Sequence, residues 1–236
     1  MSTSPRPDSS NGVSESSSPT ALVDWALHRF ADQRTILTSA FGMEGCALID
    51  MVARRVSAFT VVYLDTGFFF PETIGLLGRL VERYSHVDFV NGGTTLTLQE
   101  QQDRHGENLW RRDPNTCCWL RKIEPMAAVM EGGDVWLTGL RRSQSPTRQH
   151  LRVVEWDWKY DLLKVNPLAY WERKDVWEYI QKHDVPFNEL HLRGYPTIGC
   201  THCTAPVPGA GVTDYTRDGR WAGEEKTECG LHGDGI

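Results

Sequence analysis

The sequence predicts an α/β protein built on a doubly wound parallel sheet. Between residues 21 and 140, short β-branched and apolar runs alternate with segments whose apolar residues recur at helical spacing. Strands that alternate with helices of this length pair in parallel through right-handed crossovers. The chain of 236 residues, 40% of them hydrophobic, is long enough for one sizeable core. We therefore expect one sheet covered by helices, with no internal repeat.

The first half of the pattern contains three strands and two helices. "RTILTSAF" predicts a buried strand, and "MEGCALIDMVARRV" predicts a helix from its apolar spacing. "AFTVVYLDT" is a β-branched run and predicts the second strand. "PETIGLLGRLVERYS" places Pro at a first helical position and continues with helical period, and "HVDFV" predicts a short third strand.

The second half continues the alternation less regularly. "TLQEQQDRHG" predicts a polar helix, "CCWLRKIEPMAAVM" a further helix and "DVWLTGL" a strand. "VVEWDWKYDLLKVNPL" has strand character without a chemical assignment. "RKDVWEYIQKHDVPFNELH" has the spacing of a packed amphipathic helix, which we interpret as scaffold.

The two ends of the chain differ from its body in composition. Residues 1–20 are rich in Ser and predict a disordered leader, without the apolar centre of a signal peptide. Residues 21–210 form the predicted domain, and residues 211–236 form a Gly-rich polar tail that we expect to be mobile. No apolar run approaches the ~18 residues of a membrane helix. We therefore expect no membrane binding, and without a secretion signal we expect a cytoplasmic protein. The net charge of −6 gives no indication of nucleic-acid binding.

Polar stretches follow three of the predicted strands, at the sheet edge where such folds bind ligands. A small-residue turn that enters a helix suits an anion, Asp and Thr suit a ribose or base, and arginines suit phosphate or sulfate oxygens. Each stretch alone is equally consistent with an ordinary turn or a solvated loop, but their common position favours an anionic nucleotide. The candidate residues are Ser39, Phe41, Gly42, Asp65, Thr66, Gly67, Arg141, Arg142 and Arg148.

Six cysteines point to a metal site and a reactive thiol. Cys46 occupies an apolar helical position and is assigned to the core. Two pairs, Cys117–Cys118 and Cys200–Cys203, offer four thiolates, which suffice for a tetrahedral sulfur site. Adjacent cysteines are unusual in zinc ribbons, and a redox dithiol at residues 200–203 would not explain the other pair. Cys229 lies in the tail, where no core pattern accounts for it, and is either reactive or adventitious.

Eight stretches together give the chain a marked resemblance to the assimilatory adenylyl-sulfate and phosphoadenylyl-sulfate reductases. The resemblance spans about residues 30–232 and implies a fold of the PP-loop, adenine nucleotide α-hydrolase-like type. Where PP-loop pyrophosphatases carry an SGGxDS-like loop, this chain has "SAFGMEG", so ATP cleavage is not expected. The matching stretches are "SAFGMEG", "LDTGFFFPET", "CCWLRKIEPM", "WLTGLRRSQSPTR", "KVNPLAYW", "GYPTIGCTHCT", "GRW" and "KTECGLH".

The resemblance also implies a set of roles. In the iron–sulfur branch of the family the two cysteine pairs hold a [4Fe–4S] cluster, which makes Cys117, Cys118, Cys200 and Cys203 the expected ligands and adenylyl sulfate the favoured substrate. Cys229 would be the nucleophile, and thioredoxin or a glutaredoxin-like thiol donor would release sulfite from its S-sulfocysteine. Association into a homo-oligomer is left open. Lys122, one helical turn after Cys118, is a further implied site residue, and so are Arg217 and Arg220. Lys226 and His232 are cations that could lower the pKa of Cys229.

Three alternatives stay open on the sequence. A reductase that prefers the 3′-phosphorylated sulfonucleotide would differ only within the pocket. A non-enzymatic iron–sulfur or zinc module would have no need for Cys229. A PP-loop enzyme that adenylates or thiolates another substrate is disfavoured by the altered first loop.

Overall fold

The strands of the computed structural model form one six-stranded sheet. The structure describes residues 12–223, 226 and 228–232. The strands, in chain order, are β1 (Thr35–Thr38), β2 (Phe59–Tyr63), β3 (Val87–Asn91), β4 (Val135–Leu137), β5 (Val154–Asp157) and β6 (Leu162–Val165). Their spatial order is β3-β2-β1-β4-β6-β5, and every neighbouring pair is parallel except β5 with β6.

Helices connect the strands and cover both faces of the sheet. They are α1 (Pro19–Arg29), α2 (Met43–Ala53), α3 (Pro71–Arg83), α4 (Leu98–His105), α5 (Leu109–Arg112), α6 (Pro114–Cys118), α7 (Glu124–Met130) and α8 (Arg173–His183). Between α6 and α7 the chain makes a π-helical turn, Trp119–Ile123. The segment predicted as one helix from Cys117 onward is therefore a helix with a π turn inside it.

Two apolar clusters lie on opposite faces of the sheet, because successive strand residues point to opposite sides. Leu37 of β1 belongs to the larger cluster, together with buried residues of α1, α2, α3 and α8. Its neighbour Ile36 belongs to the smaller cluster with Trp136 and with Met126 and Met130 of α7. The doubly wound α/β fold predicted from the sequence is confirmed.

At the periphery, one prediction is confirmed in more detail and another needs correction. The stretch "VVEWDWKYDLLKVNPL" is a hairpin, of which β6 joins the parallel sheet and β5 forms an antiparallel edge. The predicted leader extends too far, because α1 already begins at Pro19, Val13 packs against the larger cluster and Glu15 accepts a hydrogen bond from Arg152 Nε at 3.1 Å. Residues 1–11 lie outside the described residues. None of the helices described here combines the length and apolar character needed to cross a bilayer.

Candidate active site

A cavity of about 250 Å³ opens where β1, β2 and β4 end. Its wall includes Ser39 and Gly42 after β1, Thr66 after β2 and Gly139 after β4. Gly42 is the N-cap of α2 and provides no side-chain hydrogen bond to that helix end. The N-terminal end of α2 thus lies at the cavity, where its backbone N–H groups favour an anion.

Close packing fixes the loop that precedes α2. The Ser39 hydroxyl accepts a hydrogen bond from the backbone N–H of Phe41 at 3.0 Å. A Cβ on Gly45 would lie 2.3 Å from the Ser39 oxygen, so the first turn of α2 requires glycine there. The small residues of "SAFGMEG" therefore let the helix end approach the cavity.

Of the residues described, five with cationic side chains line this cavity: Lys122, Arg148, Arg173, Arg217 and Arg220. Four of them were predicted as site residues, and Arg173 was not. Arg173 is the first residue of α8, which the amphipathic pattern assigned to scaffold. Among the residues that the structure describes, Glu44 is the one acidic residue in the wall, so this part of the cavity is suited to a multiply charged anion.

Glu44 organises the buried charges behind the wall. Its Oε1 lies 2.9 Å from Arg141 Nη2 and 3.1 Å from Arg173 Nη1. Burial by itself would raise the pKa of Glu44, but Arg173 and Arg141 lower it to about 2. The guanidinium carbons of both arginines also lie over the Tyr215 ring, 4.9 and 5.8 Å from its centroid. Glu44 is therefore ionised and balances the two arginines.

Several predicted substrate-binding side chains do not line the cavity. Phe41 is buried in the larger cluster beside Tyr63, and the fully buried Arg141 is engaged by Glu44. Arg142 donates from Nε to the Leu151 carbonyl at 2.6 Å. Asp65 accepts a hydrogen bond from the Gly67 N–H at 2.8 Å, which is the capped turn that the sequence left open as an alternative. Phe41, Asp65, Gly67, Arg141 and Arg142 are thus absent from the cavity wall, and a direct role for them in substrate binding stays a prediction.

The four paired cysteines line a second, small cavity beside the first. None of the four is in a disulfide. Burial and the neighbouring thiols raise the pKa of Cys117 to about 12. The Cys200 sulfur lies 3.3 Å from the Thr66 hydroxyl; burial raises the pKa of Cys200, but Lys122 and this hydroxyl bring it below its ordinary value. The π turn follows Cys118 directly, and such turns are frequent at functional sites.

The thiol donors are of the type that holds an iron–sulfur cluster. In the described part of the chain, no three His, Cys, Asp or Glu side chains are grouped so that they could hold one ion. A cubane, however, takes one thiolate at each iron, so its ligands surround a volume and need not meet at a point. Cys117, Cys118, Cys200 and Cys203 line one small cavity together with Phe68, Trp110 and Trp221, so the residues present have the chemistry that such a cluster requires.

Lys122 and Cys200 line both cavities and so connect them. Burial would lower the pKa of Lys122, but Cys200, Cys229 and Cys118 raise it above its ordinary value. His202, between the two cysteines of its segment, stacks on Trp110 with ring centroids 4.1 Å apart. It does not line the larger cavity, and burial lowers its pKa.

The described part of the tail is docked onto the body of the protein. Lys159 Nζ donates to the Gly230 carbonyl at 2.6 Å, and the Tyr160 hydroxyl donates to the Leu231 carbonyl at 3.1 Å. Cys229 is half-buried and interacts electrostatically with Lys122 and Arg220. Residues 224, 225, 227 and 233–236 lie outside the described residues.

His232 is not the cation that the sequence predicted. Its ring stacks on Trp136 at a centroid distance of 4.9 Å. Burial, Lys164 and Arg148 keep the pKa of His232 well below its ordinary value, so the imidazole is neutral at pH 7. Lys226, the other candidate cation, donates to the Asn115 side chain. The cations that interact electrostatically with Cys229 are Lys122 and Arg220.

The fold and the site define a class: a doubly wound α/β domain with a cavity lined by cations at the carboxyl ends of its strands. A family model described as "Phosphoadenosine phosphosulfate reductase domain" matches residues 34–206. The chain belongs to this family.

Relatives and solved structures agree with this assignment. "Adenosine 5'-phosphosulfate reductase" of Geobacillus kaustophilus is 44% identical over 89% of this chain and 88% of its own length. "Adenosine 5'-phosphosulfate reductase 2" of Bacillus subtilis is 43% identical with the same coverage. The phosphoadenylyl-sulfate reductase of Candida auris, in a phosphate complex, superposes with a TM-score of 0.70 at 30% identity over 80% of this chain and 91% of its own. The FMN adenylyltransferase of Candida glabrata shares only the fold, with a TM-score of 0.58 at 14% identity over 81% of this chain and 62% of its own.

Proposed function

We propose that this protein reduces adenylyl sulfate to sulfite and AMP in assimilatory sulfate reduction, through an S-sulfocysteine at Cys229. The observation that carries the proposal is the shared wall of the two cavities. Lys122 lines both of them and interacts with Cys229, so one cation is near the anion cavity, the paired cysteines and the tail thiol. The adenylyl-sulfate reductases named above support the choice of substrate.

In the first half-reaction, the cavity binds the sulfonucleotide and Cys229 attacks it. Lys122, Arg148, Arg217 and Arg220 neutralise the phosphate and sulfate oxygens. The Cys229 thiolate forms a bond to the sulfate sulfur, and the bond between that sulfur and the bridging oxygen of AMP breaks. AMP leaves with the electron pair, and an S-sulfonate remains on Cys229. The same cations stabilise the negative charge that develops on the leaving phosphate.

In the second half-reaction, thioredoxin or a glutaredoxin-like dithiol reduces the intermediate. A donor thiolate attacks the Cys229 sulfur, and sulfite leaves with the electron pair of the broken S–S bond. The donor's second thiol then attacks the mixed disulfide and restores Cys229 as a thiol. The donor loses two electrons and two protons and becomes a disulfide, while sulfur passes from the oxidation level of sulfate to that of sulfite.

The residues proposed to hold a [4Fe–4S] cluster are Cys117, Cys118, Cys200 and Cys203. When bound, the cluster would supply a fixed local charge distribution next to the anion cavity. Lys122 lies between the two sites and would orient the sulfate group. The Thr66 hydroxyl would keep Cys200 in place through their 3.3 Å contact.

Anaerobically purified protein is expected to be brown and to contain about four iron and four sulfide per chain. Colorimetric iron and sulfide analysis checks this expectation. Replacing Cys203 with serine should lower the iron content sharply, whereas the same change at Cys46, which is buried in the core away from the pairs, should not. One zinc per chain without sulfide would contradict the assignment.

A sulfite-release assay with both sulfonucleotides tests the substrate. We expect turnover of adenylyl sulfate at a kcat/KM well above that of the 3′-phosphorylated compound, in the presence of thioredoxin. A preference for the phosphorylated substrate would favour the second candidate function, a phosphoadenylyl-sulfate reductase. The similarity to the Candida auris phosphoadenylyl-sulfate reductase is the reason for considering it. Absence of turnover with either would favour a binding module. Cytoplasmic location and assembly into a homo-oligomer stay predictions.

A further inference from the structure

Glu228, the residue before Cys229, is buried and meets two arginines of the cavity wall. Only 1% of Glu228 is exposed. Its Oε2 lies 3.0 Å from Arg148 Nη2 and 3.1 Å from Arg217 Nη2. Pairs between a carboxylate and guanidinium groups are strong hydrogen bonds, and a buried carboxylate without such partners would be costly. The tail is therefore tied to the body of the protein next to the reactive thiol.

Glu228 does not occupy the space in the larger cavity where a ligand would bind. Arg148 and Arg217 both line the larger cavity, whereas Glu228 is not part of its wall. A guanidinium has five N–H donors in a planar fork, so it can hold a carboxylate on one edge and a second anion on another. The two arginines are thus able to bind the tail and a ligand of the cavity at the same time.

Anchors on both sides of Cys229 restrict its position. Glu228 is fixed by the arginines, and the carbonyls of Gly230 and Leu231 are bound by Lys159 and Tyr160 of the β5–β6 hairpin turn. A residue between two anchored neighbours has little freedom in its backbone. Positioning of a nucleophile at a reacting atom contributes much to rate, and a displacement of about 1 Å is costly.

We propose that Glu228 is a positioning residue that latches the tail onto Arg148 and Arg217, places Cys229 for the first half-reaction and releases it for the second. The proposal rests on the proposed function. Release follows from charge: the S-sulfonate formed on Cys229 adds a negative charge one residue from the Glu228 carboxylate, and the repulsion between these two anions weakens the latch. The latch is then weakest when the thiol donor must reach Cys229.

Amide hydrogen exchange of the tail tests the latch without depending on activity. The variant Glu228→Gln keeps the size of the side chain and removes its charge, and Glu228→Asp keeps the charge on a shorter side chain. Glu189→Gln is the matched control, because Glu189 also pairs with two arginines, Arg79 and Arg193, but on the surface. We expect Glu228→Gln to speed exchange at residues 228–232 by roughly ten- to a hundredfold, with Glu228→Asp intermediate and Glu189→Gln unchanged. If the tail amides of Glu228→Gln exchange at the same rate as those of wild type, the proposed latch is refuted.

The two half-reactions, measured separately by mass spectrometry, test positioning. S-sulfonation of Glu228→Gln by adenylyl sulfate should be slower than in wild type, by a factor similar to that by which amide exchange becomes faster. Glu228→Asp should restore part of the rate. Sulfite release by thioredoxin from the preformed S-sulfonated variant should be as fast as in wild type or faster. Equal slowing of both steps, with faster exchange in the core strands, would show a merely structural role and refute the proposal. Wild-type enzyme that is never S-sulfonated would refute the proposed function instead, and exchange alone would then decide whether Glu228 anchors the tail.

Discussion

Replacing Cys229 with serine will reduce sulfite release by about a thousandfold or more, to background. A serine hydroxyl is close in size to a thiol but is not ionised near pH 7, so it cannot attack the sulfate sulfur. Mass spectrometry of wild-type enzyme given adenylyl sulfate without a thiol donor should show the S-sulfonate on the Cys229 peptide. The Cys229→Ser variant should show none.

The variant should keep its fold, iron content and nucleotide binding. Cys229 lies outside both cysteine pairs and is not part of either cavity wall. Cys46→Ala is the matched control, because burial raises the pKa of Cys46 to about 12 and leaves it unreactive. Near wild-type turnover of Cys229→Ser would remove this residue from the mechanism. Loss of iron in that variant would instead place Cys229 in the metal site.

Replacing Glu44 with glutamine will lower the free energy of unfolding by about 3–5 kcal/mol. Glutamine fits the same space but removes the negative charge, which leaves Arg141 and Arg173 buried without their counter-ion. Glu82→Gln on the exposed side of α3 is the matched control and should change stability little. Urea denaturation at pH 7 measures both. A Glu44→Gln variant as stable as wild type would show that the arginines do not depend on this carboxylate.

The same carboxylate predicts how stability depends on pH. The pKa of Glu44 is lowered from 4.5 to about 2 in the folded protein, so the folded state binds fewer protons than the unfolded state between these values. The stabilisation by Glu44 is complete above about pH 4.5 and is lost as the pH falls through about 2. Wild type should therefore lose stability more steeply than Glu44→Gln in this window. Parallel pH profiles of the two proteins would contradict the coupling.

The loops at the strand ends show how much of the site can be predicted from sequence patterns. Strand ends and small-residue turns predicted the cavity edge correctly, and Ser39, Gly42 and Thr66 line it. In the "TGLRRSQSPTRQ" loop, only Arg148 of the three predicted arginines lines the cavity. A loop sequence shows that several cationic side chains lie close together. The direction in which each side chain points depends on the hydrogen-bond acceptors that other segments of the chain place near it. For Arg141 that acceptor is Glu44, which lies 97 positions earlier in the chain.

Arg173 and Glu228 illustrate what the pattern could not reveal. Arg173 was assigned to scaffold because α8 is amphipathic, yet the first residue of that helix reaches the cavity. Glu228 was part of a tail expected to be mobile, because its neighbours are polar and Gly-rich. Its burial comes from Arg148 and Arg217, located in two other loops. The charge of a side chain is visible in a sequence, but its partner is not.

The sequence by itself determined the α/β class, the alternation of strands and helices, the four paired cysteines and the isolated Cys229. These features are local, since hydrophobic period and residue spacing are properties of short segments. Only the tertiary structure decided that β5 is an antiparallel edge, that His232 is buried and neutral, and that Lys122 lies between the two cavities. Each of these depends on contacts between segments far apart in the chain, whose desolvation and charge act only after the sheet has brought them together.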